Sequence, residues 1–423
     1  MTSPGRVSEP GALVYLGAVT ALALHTTADA FLLPERGTKW SDHLLSGLGT
    51  LAVLAVCIGL YLFGRAGLRA SLALVLGVLA LEGFALAVVD AGNVGARGDD
   101  WTGFLLGPAG LALCGLGGVL LWRSRRPGRL RHLRRAGLAL GGVLVVYVVV
   151  VPVATAILAT HRPREPVGPV TLGRPYKQVT LRTSDSLQLA GYYVRSRNGA
   201  AVISFPTRKG KLPQARMLIR HGYGVLLLDA RGYDGSEGTS NLFGWGETRD
   251  IDAAVAWLRR QPDVRGGRVG GIGFSVGGEM MLEAAAGNQQ VRAVISEGAG
   301  IRSIREELLY GARSIPALPA QAVHTAALSI LSNTAPPPSL RDLVARIEPR
   351  PVFLIYAEHG TGGEDLNRKY FRAAGEPKKL WRVAGAGHTG GYETDPAGYE
   401  RRVVGFLDHA LLGSRGFPAT RTR

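Results

Sequence analysis

Five long apolar runs, separated by short polar segments, fill the first 160 residues, and beyond them the pattern shortens to alternating β-rich and helical stretches. The runs are GALVYLGAVTALALHTTADAFLL (11–33), HLLSGLGTLAVLAVCIGLYLF (43–63), ASLALVLGVLALEGFALAVVD (70–90), TGFLLGPAGLALCGLGGVLLW (102–122) and AGLALGGVLVVYVVVVPVATAILAT (136–160). Each has at least 21 residues, and at about 1.5 Å per residue a helix of that length crosses a hydrocarbon core of about 30 Å. Residues 1–160 therefore predict a membrane bundle of five spans. The first run is longer than an ordinary secretory signal core, lacks a clear cleavage site and precedes four more spans, so it reads as a span.

After HRPREPVGP, within a linker over 161–173, the period changes. VTLRT and LQLAGYYVR read as a strand pair, AAVISFP as a buried strand, LPQARMLIRHG as a helix and YGVLLLDAR as a strand. TRDIDAAVAWLRRQ is helical, RVGGIGFS a strand, VGGEMMLEAAA a helix and VRAVISEG a strand. SLRDLVARI, PVFLIYAE, KKLWRVAG and GYERRVVGFLDHAL continue the alternation to residue 412, leaving 413–423 as a tail. Strands alternating with helices predict an α/β domain over 174–412, with a mostly parallel sheet, helices on both faces and ligands beyond the carboxyl ends of the strands. The segment 301–338, inserted between two strands, is expected to form a small helical lid.

Charge adds an orientation. Arg6, Arg65 and Arg69, and the run Arg123, Arg125, Arg126, Arg129, Arg131, Arg134 and Arg135 all fall on one face of a five-span bundle, whereas the other face carries Arg36, Lys39 and Arg97. The positive-inside rule makes the arginine-rich face cytoplasmic, and an odd number of spans then delivers the C-terminal domain to the outside of a cell membrane. The net charge of +17 divides into +5 up to residue 160 and +12 beyond it. The basic domain suits a solubilising surface or contact with anionic lipid; nucleic-acid binding would need more than charge. Both cysteines, Cys57 and Cys114, lie within spans, which removes disulfides and thiol chemistry from the C-terminal domain.

The chemistry centres on GGIGFSVGGEMM (270–281), where Gly273, Phe274, Ser275, Val276 and Gly277 form G-x-S-x-G between a strand and a helix. A serine hydroxyl needs a base to take its proton and donors to hold the oxyanion that forms. A sharp strand-to-helix turn exposes Oγ and sets the Val276 N–H at a helix N-terminus. The pentapeptide by itself also fits a Gly-rich connection with an incidental serine. Residues further along the chain favour catalysis: Glu358, Glu364 and Asp365 come just after one late strand, and His388 sits in a Gly-rich loop after the next. Serine, acid and histidine in that order, each past the end of a strand, is a triad order.

Residues 174–412 resemble the α/β-hydrolase superfamily, in its dienelactone-hydrolase-like and serine-peptidase-like branches. GFSVGG resembles the nucleophile elbow, DARGYDGSEG the D-x-R-G-x-G-x-S-x-G stretch after the fourth strand, and GAGH the catalytic histidine loop. The resemblance implies a Ser-acid-His hydrolase with Ser275 as nucleophile and His388 as base, and no metal or organic cofactor. Three places depart from that pattern. SFPTRKG stands where relatives carry His-Gly after the third strand; since Pro206 has no N–H, Thr207 is left as the second oxyanion donor beside Val276. Asp234 replaces a glycine, and its neighbour Ser236 lacks the glycine two residues earlier that an elbow needs. AEHGTGGED lacks the usual acid spacing; Glu364 is preferred because the chain can turn back past the glycines of HGTGG and its extra methylene reaches toward His388, with Asp365 and Glu358 as alternatives. In that reading Asp365 caps the helix after it.

Other ionisable residues read as structural. His221 precedes a core strand, and His359 comes too early in the order to be the base. His25 and Asp29, at i and i+4 in the first span, and Glu82 in the third suggest interhelical pairing or a proton path. The expected function is a membrane-anchored serine hydrolase that cleaves an ester, thioester or amide in a small molecule or short peptide and touches membrane lipid. A peptidase and a non-catalytic hydrolase-like binding module are the alternatives.

Overall fold

The computed structural model describes residues 10–123, 131–163, 170–205, 212–233 and 235–413. Arg6, Arg125, Arg126, Arg129, the middle of the linker, Pro206, Thr207, Asp234 and the tail from 414 lie outside these residues, and Arg131, Arg134 and Arg135 are described as helix backbone alone. The chain forms two compact units: Met1–Pro166 with Ala317–Thr334, and Val167–Pro316 with Ala335–Arg423.

In the first unit, five helices are long and apolar enough to cross a membrane: Pro10–Leu32, Trp40–Phe63, Ala66–Val94, Asp100–Arg123 and Ala136–Thr160. They match the five apolar runs to within a few residues. The third and fourth pack closely because small residues face each other. A Cβ on Gly77 would lie 2.7 Å from the Cys114 sulfur, and one on Gly110 would lie 2.9 Å from the Gly77 carbonyl oxygen, while Ala70, Ala73 and Ala80 are fully buried nearby. Close backbone approach of this kind is what holds apolar helices together where a hydrophobic driving force is lacking. The first and second spans join through Tyr15 and Tyr61, whose rings stack with centroids 3.7 Å apart and whose hydroxyls donate to the Cys57 and Gly11 carbonyls at 3.2 Å.

Residues 317–334 also belong to this unit, so the segment expected to make one lid is divided. The turns Ile304–Glu307 and Leu308–Ser314 stay with the second unit, while the helix Leu318–Leu331 packs with the spans. Its sequence LPAQAVHTAALSIL carries no Lys, Arg, Asp or Glu and is mostly apolar, and it finds its partners among other apolar helices. A Cβ on Gly49 of the second span would come 2.9 Å from Ile330, and the Asn333 side-chain amide donates to the Asp42 carbonyl at 2.7 Å.

The second unit is an eight-stranded sheet in the order β1-β2-β4-β3-β5-β6-β7-β8, with β1 Lys177–Arg182, β2 Gln188–Val194, β3 Ala201–Phe205, β4 Gly224–Leu228, β5 Val269–Phe274, β6 Ala293–Glu297, β7 Val352–His359 and β8 Lys378–Gly387. β1, β2 and β4 pair antiparallel, and β4 through β8 run parallel by way of β3. β3, β4 and β5 are buried throughout, which explains their unbroken apolar runs in place of alternation. One face packs on α1 (Leu212–Arg220) and α2 (Pro396–Leu407) through Met217, Leu218, Phe406 and Leu407. The other packs on three helices, Thr248–Leu258, Val276–Gly287 and Leu340–Val344, through Ile251, Met281 and Leu343. Strand order reverses around β3, so the crevice for a ligand lies beyond the carboxyl ends of β3 and β5.

Candidate active site

β5 ends at Phe274, the helix Val276–Gly287 begins at Val276, and Ser275 alone makes the turn. Its backbone stands at φ 53°, ψ −126°, a region that costs a non-glycine residue about 1–3 kcal/mol. The neighbours explain how so tight a turn forms. A Cβ on Gly273 would sit 2.1 Å from the Gly277 carbonyl oxygen, and one on Gly278 would sit 2.5 Å from Ser296 Oγ and 3.2 Å from the Gly273 oxygen. The Ser275 N–H donates to the Glu297 carbonyl at 2.8 Å, which pins the turn to the end of β6. Val276 opens the helix, where first-turn N–H groups have no intrahelical acceptor and the dipole favours negative charge.

His388 comes directly after β8. Its Nε2 lies 2.9 Å from Ser275 Oγ, and its Nδ1 is bonded to Glu364 Oε1. An ionised carboxylate only accepts, so Nδ1 carries the proton, and Nε2 is left to accept from the serine hydroxyl. Glu364 is 1% exposed, and its Oε2 accepts from the Ala357 N–H at 2.8 Å. The chain brings this carboxyl back under the histidine through Gly362 and Gly363, at φ 66° and 90°, a region that favours glycine. A Cβ on Gly300 would lie 2.0 Å from the Gly362 oxygen, so the two loops pass without room for side chains.

The other two carboxylates turn elsewhere. Glu358 accepts from Arg382 at 2.6 Å and from the Gly385 N–H at 2.9 Å, on the exposed edge of the sheet. Asp365 accepts the Tyr310 hydroxyl at 2.6 Å, and no side chain caps the helix Asn367–Ala373, so the capping expected of Asp365 does not form. Asp365 itself lies within a short turn, Glu364–Leu366, that precedes the helix and moves the cap position to Leu366. Ser236 Oγ donates to the Asp229 carbonyl and accepts from the Ala190 N–H, fastening a turn far from His388 in the sequence order. His221 pairs with Glu400 at 2.6 Å, and His359 is exposed at the end of β7.

Two residues of the strand end VISEG went unremarked in the sequence. The Glu297 side chain is 2% exposed and accepts from the Gly391 N–H and the Tyr399 hydroxyl. Gly298, at φ 79°, leaves room for the histidine loop, since a Cβ there would lie 2.7 Å from Thr389 and 3.4 Å from His388. The signal was an acidic residue at the end of a wholly buried strand, a position that demands partners. Beneath the serine, Glu279 is buried; burial pushes its carboxyl up to about 7 against the opposing charge of Arg302. Its Oε1 accepts from the Gly300 N–H at 3.0 Å.

The strand order, the strained serine between strand and helix, and the histidine past the last strand make this unit an α/β hydrolase. The family model for X-Pro dipeptidyl-peptidase (S15 family) matches residues 141–383, and the chain belongs to that family. An uncharacterized protein of Mycobacterium tuberculosis is 28% identical over 241 residues, covering 54% of this chain and 76% of its own length. The thiohydrolase aneE of Aspergillus aculeatus is 28% identical over 192 residues, covering 42% of this chain and 58% of its own. Among solved structures, the Pyrococcus furiosus esterase Pf2001 superposes with a TM-score of 0.47 at 22% identity, over 59% of this chain and 99% of that one.

Proposed function

We propose that the protein is a membrane-anchored serine hydrolase that cleaves an ester, thioester or amide bond. The observation that carries the reading is the unbroken hydrogen-bond series from Ser275 through His388 to Glu364. In the reaction, Ser275 Oγ attacks the carbonyl carbon as its proton passes to His388 Nε2. The imidazolium so formed is stabilised by Glu364 and returns the proton to the leaving alcohol, thiol or amine. The acyl group remains on Oγ until water, deprotonated by the same nitrogen, releases the acid. The Val276 N–H and the Thr207 N–H hold the oxyanion in this scheme, the second from a residue outside the described ones.

Membership in an X-Pro dipeptidyl-peptidase family favours peptide substrates as the second reading, and the thiohydrolase relative favours thioesters. The five long apolar helices support anchorage in the membrane, and the arginine asymmetry supports a hydrolase domain on the outer face. The deciding experiment is covalent labelling of the full chain by a fluorophosphonate, followed by a panel of acyl esters, acyl thioesters and X-Pro aminoacyl amides. Ser275→Ala should lose labelling while Ser236→Ala keeps it. Equal labelling of Ser275→Ala removes the nucleophile from the scheme, and absence of labelling in the native chain returns the domain to a non-catalytic module.

A further inference from the structure

Within the membrane unit the helices enclose a cavity of about 460 Å³, lined by all five spans and by the helix Leu318–Leu331. That is within the size of ordinary small-molecule sites. Its two ends differ in chemistry. The body is walled by side chains such as Leu22, Leu54, Leu79, Ile157 and Ile330. The other end lies where the first, third and fifth spans finish and the fourth begins, and it gathers His25, Asp29, Asp90, Asp99, Asp100 and His161.

Ionisable groups within membrane spans are costly and mark function by default, and His25, Asp29 and Asp90 lie within them. Here they are organised: His161 Nε2 meets Asp29 at 3.4 Å, His25 Nδ1 meets the Thr102 hydroxyl at 3.1 Å, and Asp100 accepts from the Arg97 N–H at 3.0 Å. An ion or proton route does not fit, because the polar groups stop at one end and the deeper wall is hydrocarbon. Nor do the described residues contain three His, Cys, Asp or Glu placed to hold a metal. Carboxylates outnumber cationic groups among the lining residues, which disfavours an anionic headgroup. Asp29 already meets His161, and Arg162 also lines this end, so cationic side chains of the protein stand beside these carboxylates. What remains on offer is acceptor lone pairs above an apolar slot.

We propose that this cavity binds a single-chain amphiphile, its alkyl chain among the leucines and its neutral, hydroxyl-bearing headgroup donating to the Asp29 and Asp99 carboxylates. The site is independent of the hydrolase reading. The probe for it is a 1-O-alkylglycerol with a mid-chain diazirine and a terminal alkyne, an ether that no hydrolase cleaves, applied to the full chain in nanodiscs. Cross-links are located by mass spectrometry and competed with unlabelled 1-O-hexadecylglycerol. The comparison probe is a fatty acid with the same chain.

Competable labelling is expected on the cavity-facing residues of the third span and on Leu318–Leu331. Leu79→Trp and, on a different helix, Ala327→Phe should each lower it at least about tenfold, the loss expected from displacing two buried methylenes. Both variants are checked for a native thermal transition, so that one folded variant is sufficient. Asp29→Asn with Asp99→Asn should weaken the alkylglycerol and strengthen the fatty acid relative to it. Labelling spread evenly over lipid-facing helix surfaces, or unchanged in the folded filling variants, overturns the site; equal labelling by the fatty acid overturns the headgroup assignment. Ser275→Ala should label as the native chain does, so failure here and failure of the nucleophile are separately visible.

Discussion

The Tyr399 hydroxyl donates to one oxygen of the buried Glu297 carboxylate at 2.6 Å, and the other oxygen accepts from the Gly391 N–H at 2.9 Å. Since the Glu297 carbonyl also holds the Ser275 N–H, one residue ties the serine turn to the loop that carries His388. In the proposed scheme it touches neither reacting atom and would act by positioning them. Glu297→Ala should lower kcat by about 10²-fold, the cost of misplacing reacting groups by an ångström, with a smaller change in KM. Tyr399→Phe should cost less, and Glu297→Gln, which keeps an acceptor for Gly391, should recover most of the rate. A rise in KM with kcat intact would assign Glu297 to substrate binding instead.

For the acid, Glu364→Gln should reduce turnover by about 10³-fold or more, because it leaves His388 in the wrong tautomer. Glu358→Gln and Asp365→Asn should turn over nearly as the native chain does, since their partners are Arg382 and Tyr310. Measuring the three side by side decides the matter; a large loss in either of the last two with normal turnover in the first reverses the assignment.

Burial raises the Glu279 carboxyl from its ordinary 4.5 to about 7, and its Oε2 has no hydrogen-bond partner among the described residues. A raised folded value means that the folded state holds the proton more tightly than the unfolded chain. Its contribution is complete below about pH 4.5 and is lost as pH rises through 7. The loss amounts to about 3 kcal/mol in all. Glu279→Gln should flatten that part of the stability profile of the hydrolase unit between pH 4.5 and 8, read by denaturant titration at each pH. An unaltered slope would place the titration elsewhere.

Gly278→Ala should deform the serine turn, because its Cβ would meet Ser296 Oγ at 2.5 Å. That oxygen is buried with no hydrogen-bond partner among the described residues, so Ser296→Ala removes the obstacle without orphaning a donor. The double variant should therefore regain at least tenfold in kcat over Gly278→Ala, a non-additive pair in a double-mutant cycle. Additive losses would show that the Gly273 carbonyl, 3.2 Å from the same Cβ, is the real barrier.

Orientation can be read with single cysteines in a background where Cys57 and Cys114 are replaced. An impermeant maleimide on intact cells should reach a cysteine at the exposed Gln289 and leave one at Arg129 unmodified, as the arginine distribution requires. The opposite pattern inverts the proposed topology.

The spans and the serine turn were legible because each rests on a local rule. Twenty apolar residues must be a span or a buried helix, and glycines at 273 and 277 around a serine permit a tight turn. The choice among Glu358, Glu364 and Asp365 was less accessible. It depends on how the chain reverses at Gly362 and Gly363 and on Gly300 passing beside it, contacts between segments some 60 residues apart. Glu297 was invisible for a similar reason: its partners, Gly391 and Tyr399, lie about a hundred residues on. The helix Leu318–Leu331 was read as part of the lid and not with the apolar helices because its 14 residues are too short to register as a span, at about 21 Å.

That helix bears on biosynthesis. A chain emerging from the ribosome has made all five spans by residue 160, yet the membrane unit still lacks its last helix until residue 334 has been added. By then six of the eight strands exist, and β7 and β8 have still to come. Neither unit can reach its final state before the other is well advanced, so the domain-by-domain order by which long chains commonly fold during synthesis is closed to this one. Severing the linker after the fifth apolar helix would free a hydrolase still carrying an apolar helix that belongs to the first unit. A soluble version would have to begin after the linker and also replace 317–334 with a short polar turn.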